Sequence, residues 1–261
     1  MSLSSVFTIW KKEFKSYFNT LLAYVCLGTF LMFMGIIFGV FLFQYMQYTQ
    51  QQAMSPNIQT ISIEVVIEGF YNLMHVILLL ILPLFTMKLF SEEGKNKTMV
   101  LLLTSPIKAI DLVLGKFLGA FSLYSLMLLS TLIFPLFLSF FAAEGTNIGL
   151  DWSVVASTYL GIYIVGACYI AVGLFWSSIT DNQFVAVTLT LLCNLGIYFI
   201  PGSDGYTSES LALLSHFSLN EHFSGFLKGI FDVKALVYFF SFFLFWMLLS
   251  YKSIQSRHWR S

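Results

Sequence analysis

Six stretches of this sequence run without a single Asp, Glu, Lys or Arg: Leu21 to Phe43, Phe70 to Met87, Phe117 to Ala142, Trp152 to Trp176, Phe184 to Ile200 and Ala235 to Tyr251. Buried inside a water-soluble fold, six such stretches would need a polar shell that the residues between them cannot supply. In lipid they need only length. The shortest, of seventeen residues, covers about 25 Å as a helix, and a few flanking residues complete a hydrocarbon core of roughly 30 Å. Composition points the same way: 58% of the 261 residues are hydrophobic, only 10% are charged, and twenty-nine are Phe, many of which a soluble domain would have to expose to water. The expected fold class is an all-α membrane protein with six transmembrane helices, in a single domain spanning residues 1–261.

Charge distribution sets the expected orientation. With the N-terminus inside, the inner segments hold Lys11, Lys12, Lys15, Lys88, Lys95, Lys97, Lys108, Lys116, Lys252, Arg257 and Arg260, leaving Lys228 and Lys234 outside. The outer segments carry Glu64, Glu68, Glu144, Asp151, Asp204, Glu209, Glu221 and Asp232 instead. Six spans return the C-terminus to the same side, so lysine retention and span parity agree on N-in, C-in. In residues 1–20, Val6, Phe7, Trp10, Phe14 and Phe18 recur at helical spacing opposite a lysine-bearing face, the pattern of a helix lying in the membrane interface. No small-residue cleavage site follows the first apolar run, which therefore reads as an anchor.

The longest inner connection, 91–108, holds SEEGKNKTMVLLLTSP. Gly94 and Asn96 favour a turn after a helix ending near Glu93, Thr98 is placed to cap a two-turn helix, and Pro106 lies beyond its end. A short helix parallel to the membrane is expected there, its leucines sinking into the interface or fitting a groove in a cytoplasmic protein. On the outer side, 201–232 carries Phe217, Leu219, Phe223, Phe226, Leu227, Ile230 and Phe231, too short and polar to span, and reads as a re-entrant or interfacial helical segment.

These features, in this order, resemble the permease subunits of type-2 ABC transporters, in the branch that includes gliding-motility and nitrous-oxide-reductase-maturation permeases. The resemblance rests on the basic N-terminal helix; on Glu92, Glu93 and Gly94 followed by Leu101 to Pro106; on Gly115-Lys116 entering the third span; on FWSSITDNQFVA, Phe175 to Ala186, between the fourth and fifth; and on His216 to Phe240 leading into the last. It implies that 91–108 is a coupling segment docking on a separate ATP-binding subunit, with Glu92, Glu93, Lys95, Thr98, Leu101, Leu102, Leu103, Thr104, Ser105 and Pro106 at the contact. It implies a cytoplasmic (inner) membrane location, a second permease chain, identical or not, and room for periplasmic or auxiliary subunits. Export or mechanical work is favoured over uptake. Gly35-x-x-x-Gly39 matches a close-contact pattern between helices in lipid and marks a candidate dimer contact.

No G-x-x-x-x-G-K-[ST] occurs: Lys95 lacks the earlier glycine, and Lys116 is followed by Phe117. ATP and Mg are therefore expected in the partner, and this chain is expected to be non-catalytic, binding no cofactor, metal or nucleic acid of its own. Cys26, Cys168 and Cys193 lie in apolar runs, as small hydrophobes do. The pair His216 and His222, with Glu221, lacks a third firmly placed ligand. His75, read as lying near the outer end of the second span, is the polar residue with a possible transport role. A six-span membrane enzyme is the competing class, disfavoured because no histidines accompany Glu92 and Glu93; a secondary transporter or channel is disfavoured by the absence of charged residues in the spans.

Overall fold

The computed structural model describes residues 3–54, 63–98, 107–142, 151–200 and 217–258. Among them the chain forms ten helices and no strand. The first, α1 (Leu3–Asn19), packs lengthwise against α5 (Ala109–Ser130). The face that does so includes Ile9 and Glu13, while Tyr17, buried like Ile9, reaches the second apolar run, where its hydroxyl donates to the Phe85 carbonyl at 3.1 Å. Gly115 and Gly119 make the approach possible: a Cβ on Gly115 would stand 2.7 Å from the Ile9 side chain, and one on Gly119 2.7 Å from Glu13 Cβ. The aromatic stripe expected to dominate this helix lies beside that face. Phe7, Trp10, Phe14 and Phe18 form a ladder of rings with successive centroids 5.1, 6.1 and 5.0 Å apart, and Phe7 is 59% exposed. Thus α1 has one face taken up by the protein and an aromatic one beside the lysines that is only partly covered: Trp10 donates to Ser122 of α5, whereas Phe7 is exposed.

Helix α2 (Leu21–Met54) has 34 residues, about 51 Å at the usual rise. It outruns the expected span because the Gln-rich stretch after Phe43 continues the helix without a breaker. The second apolar run forms α3 (Ile63–Thr86) and α4 (Lys88–Lys95), separated only by Met87. Pro83 weakens the ladder here, since it has no N–H to donate and its ring crowds the preceding turn. Gly94, expected to turn the chain, lies inside the last turn of α4; Asn96 caps it, and the left-handed residue is Lys97, at φ 56°.

The third run is also broken. Helix α5 stops at Ser130 and α6 (Ile133–Ala142) follows. Pro135 cannot donate to the Thr131 carbonyl, which accepts from the Phe134 N–H instead, and the Thr131 hydroxyl pairs with Tyr159 Oη at 3.0 Å. Helix α7 (Trp152–Ile179) is the centre of the bundle, touching α3, α4 and α5 as well as the three helices that follow it. Its N-cap Asp151 accepts from the Ser153 N–H at 2.8 Å, which holds that carboxyl below its ordinary value.

The three following helices are α8 (Gln183–Tyr198), α9 (Leu219–Leu227) and α10 (Val233–His258). Leu219, Phe223 and Phe226 of α9 are fully buried, and the Phe226 carbonyl accepts the Ser157 and Thr158 hydroxyls of α7. This helix is seated on protein; residues 201–216 of the expected outer segment lie outside the described residues.

Five helical stretches among the described residues are long and apolar enough to cross a membrane: Ala23–Tyr48, Ile67–Lys95, Ala109–Phe140, Trp152–Ile179 and Val233–Arg257. The expected fifth span is the 16-residue α8, about 24 Å long, which falls short of that length on its own.

Candidate functional site

The polar chemistry of the described residues concentrates at one end of the bundle, where α1, α4, α5, α7 and α10 meet. Its centre is Lys116. Although it sits seven residues inside α5, this side chain is only 1% exposed. Its ammonium group donates to Glu13 Oε1 of α1 at 3.0 Å, to Glu93 Oε1 of α4 at 2.8 Å and to the Leu89 carbonyl, so all three of its N–H donors are used. It also lies 5.0 Å from the centre of the Phe90 ring. Lys12, mostly exposed, approaches Glu93 at 3.9 Å, so two lysines face two carboxylates and the cluster is neutral as a whole. A buried ion is tolerated only when paired and fully hydrogen-bonded, and this one is both. The lysine reached its place because Gly115 and Gly119 let α1 come close enough to deliver Glu13.

A second set of contacts leads from α4 to α7. Ser177 Oγ accepts the Phe90 and Ser91 N–H groups at 3.0 and 3.1 Å and donates to the Met87 carbonyl at 3.0 Å. The interruption at Met87 leaves backbone groups at the start of α4 without their regular partners, and one hydroxyl serves three of them. The next residues reach α10. The Ser178 carbonyl accepts Ser253 Oγ at 3.4 Å, the Ile179 carbonyl accepts Arg257 Nη2 at 2.6 Å, and Arg257 Nη1 pairs with Asp181 Oδ1 at 2.6 Å. Asp181 in turn lies against Gly94, where a Cβ would stand 2.8 Å from the Asp181 carboxyl carbon.

Of the residues singled out in the sequence, Glu93 is part of the Lys116 cluster. Glu92 and Lys95 are exposed on α4. Thr98 turns back: its N–H and hydroxyl both reach the Glu93 carbonyl, at 3.0 and 3.4 Å. Leu101, Leu102, Leu103, Thr104, Ser105 and Pro106 lie outside the described residues. A Cβ at Gly35 or Gly39 would meet nothing within 4 Å, so that edge of α2 is open.

His75 lies in the first third of the crossing stretch Ile67–Lys95 and is enclosed by protein. It is near the middle of α3, 1% exposed, with Nε2 2.7 Å from Tyr169 Oη and its ring against Tyr198 and Phe223. His222 stacks on Tyr238 at 4.2 Å, and His216 lies outside the described residues. Among the described residues no three His, Cys, Asp or Glu side chains converge to hold a metal.

Glu13, Lys116, Ser177, Asp181 and Arg257 were not singled out by sequence reasoning as members of one site. The available signal was faint: Glu13 falls at helical spacing from Ile9 and Tyr17, and Lys116 follows a glycine at the mouth of an apolar run. What brings them together is tertiary packing across as many as 103 sequence positions.

Comparison with known families gives one match, to a family model described as ABC-2 family transporter protein, over residues 7–207. Among curated proteins none matches this chain.

Proposed function

We propose, from the premise that the chain belongs to the ABC-2 family of transporter proteins, that this membrane permease subunit takes its energy from a separate ATP-binding chain through the 91–108 segment. Glu92, Glu93, Lys95, Thr98 and Leu101 to Pro106 form the contact, the coupling role that the resemblance assigns to them. The reading includes six spans with both termini in the cytoplasm, the short α8 completed by its flanking residues, so that the Lys116 end faces inward. It includes a location in the cytoplasmic membrane, a second permease chain meeting this one along Gly35 and Gly39, and work in export or mechanical transmission in the manner of the gliding-motility branch. ATP and Mg act in the partner.

The observation that carries the coupling role is the ion pair between Glu93 and Lys116, 2.8 Å apart. Glu93 lies near the start of the segment and Lys116 eight positions beyond its end, in α5, so the pair ties the entry of the segment to the helix that follows it. Glu13 of α1 joins the same ammonium group. A push on a loop with free ends would be lost in bending, whereas a push on a segment tied at its base moves α1, α4 and α5 as a body.

The test is the ATPase activity of the complex of this chain with its ATP-binding subunit, reconstituted in lipid. Leu101→Glu or Leu102→Glu is expected to abolish the stimulation of ATP hydrolysis while membrane insertion stays normal. Unchanged stimulation would remove the coupling assignment.

A further inference from the structure

We infer that the end of the fourth span, Ser177 to Asp181, is a relay through which the coupling segment moves the last helix, with Asp181 as its positioning residue. The inference rests on the coupling reading above and adds a second route, distinct from the Lys116 cluster, that leads to α10 instead of α1.

Four residues carry it. Ser177 holds the first turn of α4 by three hydrogen bonds. Ser178 and Ile179 offer carbonyl oxygens at the C-terminus of α7, where the helix has no partners of its own for them, and α10 supplies those partners through Ser253 and Arg257. Asp181 takes the other arm of the Arg257 guanidinium and rests on Gly94, in the last turn of α4 and within the coupling segment. A guanidinium fork held at two points fixes direction as well as distance, which a lysine at that place would not do. The absence of a side chain at Gly94 matters here for space, not for backbone freedom, since its φ is an ordinary helical one.

The ion pair itself is a poor stabiliser. The Asp181 side chain is 61% exposed and that of Arg257 27%, and exposed pairs of this kind add little to folding. Its value is geometric: α4 cannot shift toward α7 without displacing Asp181, and Asp181 cannot move without pulling on Arg257. Removing it therefore leaves the fold and the complex intact and removes the direct link from Gly94 to Arg257, while the contacts of α10 with the Ser178 and Ile179 carbonyls remain.

The experiment uses the reconstituted complex with its ATP-binding subunit, and reads stimulated ATP hydrolysis together with the amount of that subunit retained on purification. Asp181→Ala and Arg257→Ala are expected each to lower stimulation about five-fold or more, the lower end of ordinary coupling between sites, with subunit retention unchanged. Arg257→Lys, which keeps the cation and loses the fork, is expected to fall between wild type and Arg257→Ala.

Gly94→Ala, a change that favours a helix intrinsically, is expected to lower stimulation alone and to add nothing in an Asp181→Ala background, the signature of residues acting through one contact. Independent, multiplicative losses for Gly94→Ala and Asp181→Ala, or a normal rate for Asp181→Ala, overturn the relay. Leu101→Glu distinguishes the two levels: if it abolishes stimulation while Asp181→Ala is normal, the relay alone fails, and if both are normal, the coupling reading fails with it.

Discussion

Lys116 Nζ lies 2.8 Å from Glu93 Oε1 across 23 positions of sequence, joining the last turns of α4 to the first turns of α5. The same ammonium group is 3.0 Å from Glu13, so one buried cation joins three helices. Among the described residues, the only other contact between cationic and anionic side chains that does not involve this cluster is Asp181 with Arg257, at the same end of the molecule. At the opposite end the hydroxyls of Ser157 and Thr158 donate to the Phe226 carbonyl.

Lys116→Met leaves Glu13 and Glu93 facing each other in a largely buried site with only the exposed Lys12 nearby. Breaking a buried ion pair from one side costs about 3–5 kcal/mol, and a large drop in the thermal unfolding temperature in detergent is expected. Glu13→Gln and Glu93→Gln added to Lys116→Met remove the stranded charges, and the triple variant is expected to recover part of the loss. A triple variant less stable than Lys116→Met would show that the carboxylates have other work.

Ser177→Ala removes the acceptor of two N–H groups and the donor to one carbonyl at the start of α4. Leaving buried backbone groups unpaired costs about 1–3 kcal/mol. Hydrogen exchange at the Phe90 and Ser91 amides is expected to accelerate selectively, while amides in the middle of α7 keep their protection.

The layout of the bundle was legible because charge-free runs of seventeen residues or more have few other uses, and because glycine, proline and capping residues mark their ends. The breaks inside two of those runs were less so: Pro83 and Pro135 are visible in the sequence, but apolar composition continues through both, and a hydropathy reading passes over them. The site was legible in part. Glu93 reads in the sequence as a partner contact because it stands in a charged cluster beside a turn, and that position says nothing of its pairing with Lys116. Lys116 was taken as a charge flanking a span, whereas it is buried within a helix, because a lysine's surroundings depend on which helix packs over it. Nothing near Lys116 in sequence announces Glu13. The burial of His75 against Tyr169 was not legible for a related reason: which helices close over a histidine early in its span is decided by packing, not by its position in the run.

Gly115→Ala pushes a methyl group into Ile9 of α1. Overpacking of this kind costs about 1–3 kcal/mol, and α1 is expected to lift from α5. Trp10 reports it, since its Nε1–H donates to Ser122 Oγ at 2.7 Å; its fluorescence is expected to shift, with the last helix undisturbed.

Gly35→Ala and Gly39→Ala meet nothing within 4 Å inside the chain, and the stability of the isolated subunit is expected to be unchanged. If a second permease chain packs along that edge, the fraction of dimer recovered after cross-linking in membranes falls. A full yield of dimer from Gly35→Leu would place the second chain elsewhere.

The measurement that reaches the central claim most directly is photo-cross-linking in intact cells of the native host, from a photoreactive side chain introduced at Leu102, with the adduct identified by mass spectrometry. The account predicts a covalent adduct to an ABC-type ATP-binding protein at high yield. Adducts to lipid and to this chain alone, with the ATP-binding protein present in the same cells, would contradict it.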